Sequence, residues 1–226
     1  MTGATSPTLL FDLDGTLTDN YPGIARSIAY ALERMGAALP DDATLRRCVG
    51  PPLRESFKWL LDSDDPPVIE QAIVLYRERY ADVGWRENIV YEGIAEALAE
   101  LASTSPLYLC TSKPEIFARR IVTLFGLAEH FAGLYGADLA GRLDDKVKLL
   151  SHLAGHANVD TGNAIMIGDR SHDIRAARHN GTRSIGVLWG YGTRDELAGA
   201  DAFAAKPAEL SGLVRSLVSG AARDRA

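Results

Sequence analysis

The run Leu9-Leu10-Phe11-Asp12-Leu13-Asp14-Gly15-Thr16-Leu17 constrains this chain more than any other stretch. Leu9, Leu10, Phe11 and Leu13 make a nearly continuous apolar segment, the pattern of a strand buried on both faces of a parallel sheet. Acid appears only where that segment runs out. Side chains alternate along a strand with period two, so Asp12 and Asp14 project to the same side of its carboxyl end, where their charges repel. A divalent cation is the obvious offset, and this end of a strand is where open α/β sheets bind ligands. The plainer alternative is a strand end followed by an Asp-Gly turn with both acids solvated.

The rest of the chain alternates short apolar runs with helical patterns, which signals βαβ units around a parallel sheet. Candidate strands are Thr8 to Leu13, Pro106 to Thr111, Gly133 to Gly136, Ala164 to Gly168, Arg183 to Leu188 and Ala202 to Ala204. Between the first two lies a long segment, Tyr21 to about Asn88, that shows helices and no convincing strand, where a doubly wound sheet needs only one crossover helix. It reads as an insertion of four short helices: Pro22 to Gly36, Asp41 to Val49, Leu53 to Leu61, and Pro66 through Tyr80. Further helices are expected over Gly93 to Ala102, Pro114 to Phe125, from Lys146 onward, and from Pro207, with the tail after Gly220 fraying.

Composition narrows the function classes. A chain of 226 residues suffices for one α/β domain with a small insertion. The formal charge of −6 gives no basic footprint for nucleic acid and no attraction to an anionic membrane, so a phosphorylated ligand needs local positive charge. Met1 to Pro7 lacks a basic and apolar leader, and no apolar run approaches the roughly 20 residues that span a bilayer, so the expected location is cytoplasmic. Cys48 and Cys110 are too few for a disulfide framework or zinc site and read as packing residues.

Three further clusters carry chemistry. Thr111-Ser112-Lys113-Pro114 follows the apolar Leu107-Tyr108-Leu109-Cys110 and precedes a helix, whose free N–H groups favour an anion; the alternative is an ordinary helix cap by Thr111 or Ser112. Lys146, in Asp144-Asp145-Lys146-Val147-Lys148, opens a helix with Val147, Leu150 and Leu153 as its buried face; on local grounds a solvated lysine is the commoner outcome. Ile165-Met166-Ile167-Gly168-Asp169-Arg170-Ser171-His172-Asp173 is another apolar strand ending in acid, with a second acid four residues on. His172 reads as incidental. His152 and His156 have the spacing of a helical metal pair, but Gly155 is expected to interrupt the helix between them and no third ligand accompanies them.

Taken in order, Asp12-x-Asp14-Gly15-Thr16-Leu17, Thr111, Lys146 and Gly168-Asp169-x-x-x-Asp173 resemble the four motifs of the haloacid dehalogenase-like (HAD) superfamily. The resemblance covers nearly the whole chain. Val49-Gly50-Pro51-Pro52-Leu53, Tyr76-Arg77-Glu78-Arg79-Tyr80 and Tyr91-Glu92-Gly93-Ile94 are similar to the phosphoglycolate phosphatase-like branch with its C1-type helical cap. It implies a doubly wound, Rossmannoid α/β core over 1–17 and 89–226 and an all-α cap over 18–88.

It also implies an activity, that of a phosphomonoester hydrolase using Mg²⁺. Asp12 would attack phosphorus to give an aspartyl-phosphate, and Asp14 would protonate the leaving alkoxide and then deprotonate water. Asp12, the Asp14 main-chain carbonyl and Asp169 would hold the metal. Thr111, Ser112 and Lys146 would hold phosphoryl oxygens, Asp173 and Gly15 would support the site, and Lys146 fits the third motif better than Lys148. Asp14 disfavours the carbon–halogen and phosphonate chemistries of other members, despite Lys58 in the insertion, while a phosphomutase would use the same pair of acids. Substrate choice would fall to the insertion, where Arg54 either meets a second anionic group, such as the carboxylate of phosphoglycolate, or sits on the surface. The expected ligand is phosphoglycolate or another small phosphorylated metabolite, with nucleoside 5′-monophosphates the alternative. The expected state is monomer or homodimer, without nucleic acid or membrane as partner. The competing class is a noncatalytic binding module, which predicts loss of Asp12, Asp14, Lys146 or Asp169.

Overall fold

The computed structural model describes residues 6–49, 51, 53–138 and 143–223, with side chains through 220. Gly50 and Pro52 of the Val49-to-Leu53 motif lie outside the described residues, as does the end of the tail, 224–226. The chain divides into two compact units, Met1–Thr18 with Val90–Ala226, and Asp19–Ile89.

The strands are β1 (Thr8–Phe11), β2 (Thr18–Asp19), β3 (Ile89–Val90), β4 (Leu107–Pro114), β5 (Gly133–Ala137), β6 (Ala164–Gly168), β7 (Arg183–Val187) and β8 (Ala202–Ala204). The helices are α1 (Tyr21–Arg34), α2 (Asp42–Arg46), α3 (Leu53–Leu60) and α4 (Pro66–Asp82), then α5 (Ile94–Ala102), α6 (Glu115–Leu124), α7 (Lys146–Ala157), α8 (Ser171–His179) and α9 (Leu210–Arg223). β2 and β3, where the chain passes between units, form a separate two-stranded sheet.

The larger unit is built on one six-stranded sheet in the order β5-β4-β1-β6-β7-β8, parallel at every pairing. β1 is the turning point: the chain adds β4 and β5 on one side and β6, β7 and β8 on the other. An α/β sheet opens a crevice at such a reversal, beyond the carboxyl ends of its strands. The register sets Leu10 beside Tyr108 and Met166, and Phe11 beside Leu109 and Ile167, so β1 and β6 end almost level while β4 runs on past them. Below that rim, α7 and α8 cover the sheet with a fully buried cluster of Leu10, Cys110, Leu149, Leu150, Leu153, Met166, Ala176 and Ala177.

The smaller unit is helical. Phe57 meets Tyr76 edge-on, and Tyr76 stacks on Tyr80 with centroids 5.5 Å apart. Glu87 ties two helices together by accepting from Arg26 and Arg79, each at 2.8 Å. Among the described residues, no helix is long and apolar enough to cross a membrane.

All six candidate strands form, Ala164–Gly168 and Ala202–Ala204 with the expected bounds and the other four with one or both ends shifted. β1 stops at Phe11 rather than Leu13, because the Leu13 carbonyl is taken by the amides of Thr16, Leu17 and Thr18 in a tight turn. β4 runs on to Pro114, with its register shifting between Thr111 and Pro114, so the helix that follows starts at Glu115. Gly155 does not interrupt α7. The helix continues to Ala157 because Asp145 caps its start, accepting from Val147 N and Lys148 N, and its stop is Asn158, in the left-handed conformation at φ 52°. His152 and His156 therefore stack on one helix face, with Tyr135 Oη 2.8 Å from His156 Nδ1. On that helix Leu149, not Val147, joins Leu150 and Leu153 in the fully buried set. Pro207 opens a short 3₁₀ turn, and α9 begins after it at Leu210.

Leu150 is a fully buried member of the cluster under the rim. Replacing it by Ala should cost about 3 kcal/mol of unfolding free energy, read from urea unfolding as a lower midpoint with unchanged slope.

Candidate active site

The charged groups at the rim of the larger unit's sheet stand at or within three residues of the end of a secondary-structure element. Asp12 follows β1, and its amide still donates to Ile167 O at 3.0 Å, which continues the ladder and anchors it beside β6. Lys146 is the first residue of α7, set there by the Asp145 cap. Asp173 lies in the first turn of α8, where its Oδ2 accepts from Arg170 N at 3.1 Å. These three meet: Lys146 Nζ is 2.7 Å from Asp12 Oδ1 and 2.7 Å from Asp173 Oδ1. The ammonium is buried at 2 % exposure. Burial alone would drive its pKa down, but the charges of Asp12 and Asp173 outweigh that and hold it protonated. Lys148, two residues on, is exposed.

Asp169, fully buried directly after β6, completes the group. Thr16 Oγ1 donates to its Oδ1 at 3.3 Å and Tyr191 N to its Oδ2 at 2.9 Å. Burial first, then the charges of Asp12 and Asp173, push its pKa up to about 8. Asp173 is pushed up to about 6, again by burial first. Two glycines make room for this carboxylate. Gly15 turns at φ +79°, and a Cβ there would stand 2.1 Å from Asp169 Oδ2; a Cβ on Gly190 would stand 2.4 Å from Asp169 Cβ.

Asp14 has a different partner. Its Oδ2 accepts from Lys113 Nζ at 2.7 Å, while its Oδ1 is buried without a hydrogen-bond partner. A quarter of the side chain is exposed. Burial raises its pKa against the pull of Lys113. The acids that follow β1 thus meet two lysines, one each, rather than facing each other unopposed.

Thr111 is buried, and its Oγ1 accepts from Lys113 N at 3.2 Å; Ser112 is exposed. Neither caps α6, whose start carries no side-chain cap bond. Arg54 belongs to the smaller unit, where it is half exposed and paired with Glu70. Lys58 lies within reach of Glu55 and Asp64, at 3.9 and 3.6 Å. Cys110 packs under the rim, its thiol pushed up to about 12 by burial.

Asp12, Asp169 and Asp173 each offer an oxygen within 4.8 Å of the others. Buried, all-oxygen donors of this kind suit a hard divalent cation such as Mg²⁺. The raised pKa of Asp169 is an independent sign of fit, since a cation would relieve the like-charge repulsion that causes part of it.

Two contributors escaped the sequence reading. Lys113 stands in a motif noted for its hydroxyls, and its basic charge two residues past the candidate strand Pro106 to Thr111 is the available signal. The loop Trp189-Gly190-Tyr191-Gly192 follows β7, supplies the Tyr191 amide to Asp169, and is tied to the β1 turn by Trp189 Nε1 donating to Thr16 O at 3.0 Å. Its two glycines just past an apolar strand could have marked it.

The fold and site define a class: a Rossmann-like α/β protein with acids and buried lysine gathered at the sheet's reversal, and a helical insertion after the first strand. The chain belongs to the haloacid dehalogenase-like hydrolase family, which residues 9–187 match. It is 43 % identical to a 5′-nucleotidase of Pseudomonas aeruginosa over 84 % of this chain and 86 % of that one. It is 38 % identical to the tyrosine-protein kinase PtkA of Mycobacterium tuberculosis, over 85 % of this chain and 66 % of that one. A phosphoglycolate phosphatase of Neisseria meningitidis is 32 % identical over 85 % and 84 %. A solved haloacid dehalogenase-like hydrolase from Streptococcus pneumoniae superposes with a TM-score of 0.85 at 30 % identity, covering 92 % of this chain and 98 % of that one.

Substituting Met for Lys146 strands two buried carboxylates. In chelator it should cost about 3–5 kcal/mol of stability by denaturant unfolding. The acids also set a pH dependence. Asp169 and Asp173 bind protons in the fold at pH values where the unfolded chain has released them, so their contribution is full near pH 4 and is lost as pH rises through about 6 and then about 8. Metal-free protein should therefore melt lower at pH 9 than at pH 5, Asp169→Asn should flatten the upper part of that fall, and Mg²⁺ should raise Tm more at pH 8 than at pH 6.

Proposed function

We propose that this chain is a Mg²⁺-dependent phosphomonoester hydrolase acting through an aspartyl-phosphate on Asp12. The observation that carries the reading is the buried Asp12–Lys146–Asp173 contact beside Asp169, at the end of the strand where the sheet reverses. Asp12, Asp169 and the Asp14 main-chain carbonyl would hold Mg²⁺, which when bound supplies positive charge against the phosphoryl oxygens.

In the first half-reaction an Asp12 oxygen bonds to phosphorus. The bond between phosphorus and the leaving oxygen breaks, and its electron pair goes to that oxygen, which takes a proton from the Asp14 carboxyl. In the second, water attacks the same phosphorus and gives its proton to the Asp14 carboxylate, and the Asp12–phosphorus bond breaks to release phosphate. Lys146 and the Thr111 hydroxyl stabilise the charge on the transferring group, Ser112 offers a further contact at the same strand end, and Asp173 keeps Lys146 in place. Gly15 leaves the space in which Asp169 stands. Raised by burial, the Asp14 carboxyl suits a group that must hold a proton before giving it up.

These groups grip a phosphoryl and a cation, so selectivity for the rest of the substrate falls to other residues. We assign it to the helical insertion, taken as a cap domain. Among small phosphorylated metabolites, nucleoside 5′-monophosphates rank first. The support is the 43 % identity to a protein named 5′-nucleotidase, together with Arg54, the residue available for a second anionic group, being engaged by Glu70. Phosphoglycolate is the second reading, supported by the relative of that name at 32 %.

The test is phosphate release from a panel of nucleoside 5′-monophosphates, phosphoglycolate and sugar phosphates, with Mg²⁺ and with chelator. The expected outcome is Mg²⁺-dependent release with the highest kcat/KM on a nucleoside monophosphate, and a fall of about a thousandfold or more in Asp12→Asn. Phosphoglycolate ranking first would transfer the assignment to the second reading. Turnover that survives Asp12→Asn would overturn the aspartyl-phosphate.

A further inference from the structure

The two carboxyl oxygens of Asp14 stand in unlike surroundings. Oδ2 accepts from Lys113 Nζ at 2.7 Å, and Oδ1 is buried with no hydrogen-bond partner. The Lys113 side chain is only 6 % exposed, so surrounding atoms restrict its swing. Its backbone is fixed as well. The register of β4 against β5 shifts between Thr111 and Pro114, and Thr111 Oγ1 accepts from Lys113 N at 3.2 Å, which makes a short turn of the strand's end. Lys146 cannot substitute for it, since its ammonium is committed to Asp12 and Asp173.

A carboxyl group transfers a proton through one oxygen at a time, and a group free to rotate presents the right one only part of the time. We propose that Lys113 is a positioning residue: by engaging Asp14 Oδ2 it holds the carboxyl so that Oδ1 is the oxygen that gives the proton to the leaving alkoxide and takes it back from water. The inference rests on the reading of Asp14 as acid and base. A lysine present only to bind the phosphoryl group would act on every phosphate ester alike. One that positions the acid acts in proportion to how much the leaving oxygen needs a proton. An alkoxide needs it greatly and a nitrophenolate hardly at all.

The experiment compares Lys113→Met and Lys113→Arg with the wild-type chain, in saturating Mg²⁺, on an alkyl phosphate and on p-nitrophenyl phosphate. It is read as kcat/KM, which covers the steps through departure of the leaving group. Lys113→Met should lose at least about tenfold more on the alkyl ester than on the aryl ester, and Lys113→Arg, which keeps a cationic donor, should recover part of that difference. Equal losses on the two esters, or none, would overturn the proposal. If Lys113→Met does not fold, the same ratio in Lys113→Arg, intermediate between wild type and an Asp14→Asn control, decides it. A crystal structure of the variant adds a readout free of turnover: the Asp14 carboxyl should rotate, and one that stays in place counts against Lys113. Asp12→Asn on the same two esters tests the parent reading separately, because loss of the nucleophile removes both activities whatever Lys113 does.

Discussion

The contact of Lys146 with both Asp12 and Asp173 joins three parts of the chain that are far apart in sequence: the end of β1, the first residue of α7 and the first turn of α8. Taking an ammonium and two carboxylates out of water is expensive, and their attraction compensates only when the distances are short and the remaining polar atoms are served. Both distances are 2.7 Å, and Asp173 also accepts from Arg170 N. Such accuracy comes from below. Leu149, Leu150 and Leu153 of α7 and Ala176 and Ala177 of α8 pack against Leu10, Cys110 and Met166, so the helices that carry the lysine and one acid are held against the strands that precede the others. The apolar core thus sets the electrostatics of the rim.

The charges at that rim do not balance. Four carboxylates, Asp12, Asp14, Asp169 and Asp173, meet two ammonium groups, those of Lys113 and Lys146. The shortfall falls on Asp169, which accepts hydrogen bonds from a hydroxyl and an amide, and whose pKa is pushed up to about 8 by burial and its acidic neighbours. Gly15 and Gly190 keep larger side chains out of the same space. A protein that only had to be stable would gain by replacing Asp169 with a neutral residue; retaining it makes sense when a cation completes the set.

Much of this was legible in sequence because the chemistry sits at strand ends, and strand ends are local. An apolar run followed by acid marks Asp12 and Asp169, whereas Lys146 and Asp173 are singled out only by the resemblance to the family's third and fourth motifs, a solvated lysine being the commoner local outcome. The six strands were legible from their local apolar runs. What escaped depends on tertiary detail. Lys113 faces Asp14 through a register shift in β4 that no periodicity announces. The Trp189-to-Gly192 loop matters only because β7 lies next to β6, which brings the Tyr191 amide to Asp169. Gly155 carries an intrinsic helix penalty of about 1 kcal/mol, which the Asp145 cap and the buried leucines of α7 outweigh.

The spacing of Asp12 and Asp14 puts two acids on one side of a strand end with a cation to offset their repulsion, and the structure gives them unequal surroundings. Asp12 shares a buried ammonium with Asp173 and lies among the metal-competent oxygens. Asp14 lies within the turn from Leu13 to Thr18, stays partly exposed, and is gripped by Lys113 through one oxygen. The roles proposed for them differ in the same way: a nucleophile must present an oxygen to phosphorus, whereas an acid–base group must gain and lose a proton each cycle. The turn that ends β1 at Phe11 is what separates the two. Had the strand run on through Asp14, period two would have aimed both acids at the same lysine, and neither could have been tuned without the other.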